Sequence, residues 1–232
     1  MPPRIEDYAL IGDCETAALV SRDGSVDWLC WPRFDSGACF AALLGGREHG
    51  RWLVAPADPA ARSTRRYRDG TLILETDFET AEGAVTLVDL MPLRGVCSDL
   101  VRIVVGRRGR VSMRTELILR FDYGSTVPWV SRLPDGRLHA VAGPQQVVLC
   151  TDVPVRGEGL TTVGDFAVSA GEQASFVLSW SPSHLAPPAS VMPDPALADT
   201  ERFWREWSGA CHYDGEWRDA VQRSLLTLKA LT

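Results

Sequence analysis

Asparagine is missing from all 232 residues, and Lys229 is the sole lysine, so arginine supplies 23 of the 24 Lys and Arg residues. A bias this broad is a signature of coding composition, and it lowers the weight that any one arginine carries. The six cysteines, Cys14, Cys30, Cys39, Cys97, Cys150 and Cys211, form no CxxC pair and follow no regular spacing. That excludes a zinc ribbon or a dithiol redox motif and predicts reduced, mostly buried thiols. The four histidines show no HxH or HExxH, so no metal site is expected. The net charge of −6 excludes a nucleic-acid footprint. No apolar run reaches the length of about 18 residues that a membrane span needs. The opening residues MPPRIEDYALIGD carry acids and lack the basic-then-apolar form of a secretory leader, so a cytoplasmic location is expected. A phosphate loop, GxGxxG and GxSxG are all absent, and no cofactor is expected.

What is present reads as β. Short apolar or alternating runs recur between about residues 16 and 180: TAALV, SVDWL, RWLVA, TLILETDF, AVTLVDL, LVRIVVG, VSMRTELILRFD, QVVLC, DFAVS and ASFVLSW. Turn signals separate them at Asp23-Gly24, Glu82-Gly83, Arg108-Gly109 and Asp135-Gly136. Many short strands joined by tight turns predict a large antiparallel sandwich over residues 1–183. Ser36 is placed to cap a short helix, GACFAALL, that Gly45-Gly46 would end.

The composition changes at HLAPPASVMPDP, where four prolines follow Leu185. Residues 184–213 read as a proline-rich linker and a helix, with Asp194 as N-cap and Pro195 at the first helical position. Leu197, Glu201 and Trp204 share one helical spacing, Phe203 and Trp207 another. A further helix follows in 214–232, with Trp217, Val221, Leu225 and Leu228 along one face. That face either docks on the sandwich or begins a second domain.

The stretch DWLCWPRFDS, 27–36, mixes apolar bulk with charge. Strand alternation sets Val26, Trp28 and Cys30 on one face, and Asp27, Leu29 and Trp31 on the other. Packing accounts for Trp28 and Phe34 as core, for Arg33 paired with Asp35, and for Asp35 or Ser36 as a cap. Trp31, Arg33 and Asp35 are then candidates for an outward surface, where an aromatic plate stands beside bidentate hydrogen-bonding groups of the kind that hold sugars. Tyr123 and Trp129 are weaker candidates for the same surface. Acidic residues are plentiful, but spacing along a chain does not reveal a catalytic carboxylate pair.

The run IGDCETAALVSRDGSVDWLCWPRFDSGACFAALLGG, 11–46, resembles the opening of the bacterial trehalase and glucoamylase-like proteins of glycoside hydrolase family 15. RFDYG at 120–124 followed by Pro128-Trp129, WREW at 204–207, and WRDAVQRSLLTLKALT at 217–232 extend the resemblance. It implies an N-terminal super-β-sandwich, a helical linker and an (α/α)6 barrel whose two glutamates act as acid and base on an α-glucoside such as trehalose or a maltooligosaccharide. Both glutamates would lie beyond Thr232, so no catalytic residue is assigned here and the chain alone is expected to be inactive. The missing barrel is the expected partner, with a homo-oligomer also open. Alternatives are another α-glucosidase of that family, a separate carbohydrate-binding module, or a structural module.

Overall fold

The computed structural model describes residues 3–232. Among them, fifteen strands form two antiparallel layers that share one long strand. The strands are β1 (Tyr8–Gly12), β2 (Ala17–Ser21), β3 (Ser25–Cys30), β4 (Ala38–Phe40), β5 (Arg51–Pro56), β6 (Arg62–Tyr67), β7 (Leu74–Glu79) and β8 (Gly83–Leu90). They continue as β9 (Ser98–Ile118), β10 (Trp129–Arg132), β11 (Leu138–Ala142), β12 (Gln145–Thr151), β13 (Arg156–Glu158), β14 (Thr161–Ser169) and β15 (Gln173–Pro182). The first layer runs β1-β2-β3-β5-β9-β14-β13, with β4 also on β3. The second runs β6-β7-β8-β9-β15-β12-β11-β10. The expected sandwich is therefore the fold.

The shared strand β9 changes layers at its middle. Its first half pairs with β8 and β15, its second with β5 and β14. The expectation of two strands turning at Arg108-Gly109 is corrected: the chain bends there without reversing. Gly106 and Gly109 make the bend possible. A Cβ on Gly106 would lie 1.9 Å from the Ser169 carbonyl oxygen, and Gly109 has φ 62°. A register shift in β8 between Ala84 and Val85 leaves Arg107 without an opposite residue, which is how a bulge bends a strand.

The apolar core between the layers includes Ile11, Val26, Leu29, Trp31, Phe40, Trp52, Leu87, Leu100, Leu117 and Phe176. The outer face of the second layer is buried too: Val88, Val101, Ile103 and Val177 pack with Val191 and Leu197. Burial on both faces explains why the LVRIVV stretch is continuously apolar rather than alternating.

Two helices close the chain, α1 (Pro193–Gly209) and α2 (Arg218–Ala230). The N-cap of α1 is Met192, so Asp194 sits inside the first turn, with its carboxylate accepting from Gln173 Nε2. Trp204 joins Leu72, Leu226 and Ala230 in a cluster that Leu10 and Tyr67 cover. The Arg68 guanidinium ties α1 to the sandwich through Glu201 at 2.7 Å. On α2 the docked side carries Leu226, Ala230 and Arg223, whose guanidinium lies over the Tyr67 ring at 3.9 Å. Trp217 and Leu228, expected on a common apolar face, are exposed instead. The stripe that docks instead is Leu226, Ala230 and Arg223, which meets Leu72, Leu10 and Tyr67.

The helix expected from the Ser36 cap to Gly45-Gly46 is corrected: residues 38–40 form β4 on the edge of β3, and Ala42–Leu44 make a 3-10 turn. The fully buried Ala38, Cys39 and Phe40 account for the difference, since both faces of an extended segment meet apolar partners there.

Candidate interface site

The loop from Pro32 to Gly37 joins β3 to β4 at the rim of the sandwich. Alternation along β3 is broken at Asp27: Val26, Leu29 and Trp31 share the inward face, and Trp28, expected in the core with Val26, lies on the other. A register shift between Leu19 and Val20 pairs Val20 with Val26 and Leu19 with Trp28, leaving Asp27 as the extra residue. After that bulge, Leu29 and Trp31 point between the layers, while Trp28 and Cys30 face Ala38 and Ala41. Trp31 is 0% exposed, so it does not reach outward as its candidacy required. Its indole Nε1 has no hydrogen-bond partner among the described residues. Phe34, expected in the core, is 41% exposed.

Arg33 and Asp35 do stand outward. Arg33 Nε donates to Asp35 Oδ1 at 3.0 Å and Nη2 donates to Oδ2 at 2.6 Å, a bidentate pair in which both side chains are exposed. The hydrogen bond from Arg33 holds the Asp35 carboxyl below its ordinary pKa, and the same contact raises that of Arg33. Ser36 closes a turn rather than capping a helix: Ser36 N donates to the Arg33 carbonyl at 3.1 Å, and Arg33 N donates to Ser36 Oγ at 3.2 Å.

Beneath, Arg94 anchors the loop. Its Nη2 donates to the Pro32 carbonyl and to Asp13 Oδ2 at 3.0 Å, and its Nη1 donates to Glu15 Oε2 at 2.6 Å. Asp13 in turn accepts from Thr16 N at 2.7 Å, which shapes the β1–β2 turn. One guanidinium thus locks two loops. Arg94 was not singled out from the sequence, since its partners lie some 60 to 80 positions away.

Tyr123 meets this loop. Its hydroxyl donates to the Ser36 carbonyl at 3.3 Å, its backbone N–H to the Ala38 carbonyl at 3.2 Å, and its ring lies 6.1 Å from that of Trp28. Asp122, Tyr123 and Gly124 have φ of 52°, 58° and 98°. Two successive non-glycine residues in the left-handed region cost of order 1 kcal/mol or more each and persist only where surrounding contacts hold them. Gly124 is required by crowding as well, since a Cβ there would lie 2.9 Å from the His49 ring.

Arg33, Asp35 and Tyr123 are therefore brought together at one rim, joined by the Ser36 turn. Trp129 belongs elsewhere. It is 79% exposed at the start of the edge strand β10 and lines a groove of about 220 Å3 with Arg120, Val127 and Leu160. Among the described residues, no three or more His, Cys, Asp and Glu side chains are arranged to hold a metal ion. Several acidic groups serve arginines instead: Asp89 holds Arg102, Glu75 holds Arg66 and Arg68, and Glu116 holds Arg51 and Arg114. No helix is long and apolar enough to cross a membrane among the described residues.

The model of the family described as "Trehalase-like, N-terminal" matches residues 1–172. This chain belongs to that family. The whole chain also aligns along 99% of its length with proteins named trehalase. They include one from Mycolicibacterium smegmatis at 31% identity, one from Mycobacterium tuberculosis at 32% and one from Thermoplasma volcanium at 25%. The chain spans 38% of the length of each of these relatives. Among solved structures, a putative kojibiose phosphorylase from the human microbiome covers 94% of this chain and 35% of its own. Its identity of 7% and TM-score of 0.37 describe a superposition too loose to bear on function.

Proposed function

We propose that this trehalase-like domain is the non-catalytic N-terminal part of an inverting α-glucoside hydrolase of family 15 type that splits α,α-trehalose into two glucoses. The observation that carries the reading is the alignment of 99% of the chain with trehalases of which it spans only 38%. The catalytic carboxyl groups would then belong to an (α/α)6 barrel in the part of such proteins that this chain does not match. One of them must stay protonated to assist the leaving oxygen, and the other ionised to activate water. In this reading residues 1–183 are the sandwich, 184–213 the linker with α1, and 214–232 the first helix of the barrel. The exposure of Trp217, Leu228 and Leu231 on the undocked side of α2 supports that division, because a helix with apolar groups on two sides is suited to packing between two bodies.

The rim of Arg33, Asp35 and Tyr123 is our candidate for the surface that meets the barrel and partly walls its sugar pocket. A loop fixed by Arg94 below and by Tyr123 beside it is rigid enough to position a guanidinium–carboxylate pair, and such pairs recognise vicinal hydroxyls. The test is made in the complete protein, with trehalose, maltose and longer maltooligosaccharides compared as substrates. Trehalose should have the highest kcat/KM, and Arg33→Ala should lower that value with little change in melting temperature. A preference for maltooligosaccharides would assign a glucoamylase-like activity. Equal kinetics for the variant at equal stability would remove the rim from the pocket. The 232-residue chain alone should release no glucose; release would overturn its non-catalytic assignment.

A further inference from the structure

Arg120 is the buried arginine whose surroundings do not balance it. It is 9% exposed, and its Nη1 donates to the Leu119 carbonyl at 2.7 Å and the Leu160 carbonyl at 3.2 Å. Among the described residues no carboxylate lies within ion-pair distance of it. The fully buried Arg102 and the partly buried Arg94 and Arg51 meet Asp89, Asp13 and Glu116 respectively. Burial lowers the Arg120 pKa with no acid to oppose it. An uncompensated charge against apolar walls is an unfavourable arrangement that a counter-ion relieves.

The groove beside it has the shape to bring one. It opens between the free edges of the two layers, β10 on one side and the β13–β14 turn on the other. Leu117 and Leu119 belong to the core, Trp129, Val127 and Leu160 stand exposed at the mouth, and the volume is about 220 Å3. Added Cβ atoms on Gly157 and Gly159 would touch nothing within 4 Å, so the lip is open backbone. The lining is chiefly apolar, with Arg120, Thr161 and Thr162 as its polar side chains. A sugar would leave most hydroxyls unpaired there, and inorganic phosphate would lose its hydration to carbon walls. A small ring or short chain carrying one carboxylate matches both halves: apolar body on Trp129 and Leu160, anion on the free donors of Arg120.

We propose that this groove is a binding site for a small aryl or alkyl carboxylate, lined by none of the rim residues Arg33, Asp35 and Tyr123. The test uses the 232-residue chain with a 15N-labelled indole on Trp129, identified through Trp129→Phe, titrated with benzoate, phenylacetate, benzyl alcohol and inorganic phosphate. Benzoate and phenylacetate should saturate the shift of that indole, and benzyl alcohol should bind about tenfold or more weaker, as loss of a charge-assisted hydrogen bond implies. Phosphate should leave the signal unmoved. Arg120→Gln should weaken benzoate to the level of benzyl alcohol. Trp129→Ala, at an exposed position that the fold does not depend on, should weaken both aromatic ligands, read by the Leu160 amide. Equal affinity for benzoate and benzyl alcohol would overturn the role of Arg120, and phosphate binding as tight as benzoate would overturn the apolar groove. No shift with any carboxylate, or loss of folding in Arg120→Gln combined with unchanged benzoate binding in Trp129→Ala, would overturn the site itself.

Discussion

The pair Arg102–Asp89 lies between the layers with both side chains 0% exposed, whereas Arg33–Asp35 stands at the rim with its side chains 64% and 68% exposed. Both are arginine–aspartate forks with a contact of 2.6 or 2.7 Å, yet their surroundings differ completely. Arg102 adds hydrogen bonds from Nη1 to the Trp52 carbonyl at 2.6 Å and from Nη2 to the Gly24 carbonyl at 2.7 Å, and its guanidinium lies 5.1 Å from the Trp52 ring centre. It is rooted in the half of β9 that belongs to the second layer and reaches carbonyls of the first. The buried pair fixes how the two sheets face each other. The rim pair is solvated at both ends, contributes little to stability, and is free to serve recognition.

The largest effect is expected at the buried pair. Arg102→Ala strands a buried carboxylate and two carbonyls, and should cost about 3–5 kcal/mol in denaturant unfolding. A loss under about 1 kcal/mol would show that water enters between the sheets and would erase the contrast with the rim.

Next comes Trp31→Ala, at about 3 kcal/mol. The value sits at the lower end for a buried tryptophan because the substitution also removes an indole N–H that has no partner. Phe34→Ala, three positions along, should stay within about 0.5–1 kcal/mol, and calorimetry of the two variants measures the inward and outward sides of one loop.

Glu116 is intermediate. Burial acts to raise its pKa, but hydrogen bonds from Arg114 and Arg51 outweigh this and leave it lowered. A lowered folded pKa gives stability that is present above the ordinary glutamate value of 4.5 and is lost as pH falls through the folded value. Glu116→Gln should therefore cost about 1–2 kcal/mol at pH 7, a deficit that narrows in the acid range below about pH 4.5. A deficit independent of pH would mean that the amide's shape, not the lost charge, sets the cost.

The smallest effect belongs to Arg33→Ala, which should leave the melting transition of the 232-residue chain unchanged, because both partners of the pair are solvated. A clear loss would place the rim pair in the same class as Arg102–Asp89 and weaken its candidacy for recognition.

Legibility in the sequence followed local physics. The apolar runs that became β2, β3, β5, β8, β12, β14 and β15 were readable, as were the turns at Asp23-Gly24, Glu82-Gly83 and Asp135-Gly136. Strand β6, RSTRRY, was not, because its half-buried residues are Ser63, Arg65 and Tyr67, each with a polar end, rather than apolar groups. Edge strand β10 escaped for a similar reason: all four of its residues are exposed. Of the candidate surface, the proximity of Arg33 and Asp35 was available from their spacing. Their meeting with Tyr123, nearly ninety positions away, depends on the left-handed turn at 122–124.

The sequence by itself determined the β class, the proline-rich passage into two helices and the resemblance that the family match bears out in its trehalase part. Only the tertiary structure decided which face of β3 turned inward, that Arg108-Gly109 bends a strand rather than ending it, and that Arg120 has no acid. Period-2 alternation sorts residues into two sets but is blind to which set meets an opposing sheet. That choice was made by one bulge at Asp27 and by partners dozens of residues away, and it put Trp31 in the core and left Arg33 and Asp35 at the surface.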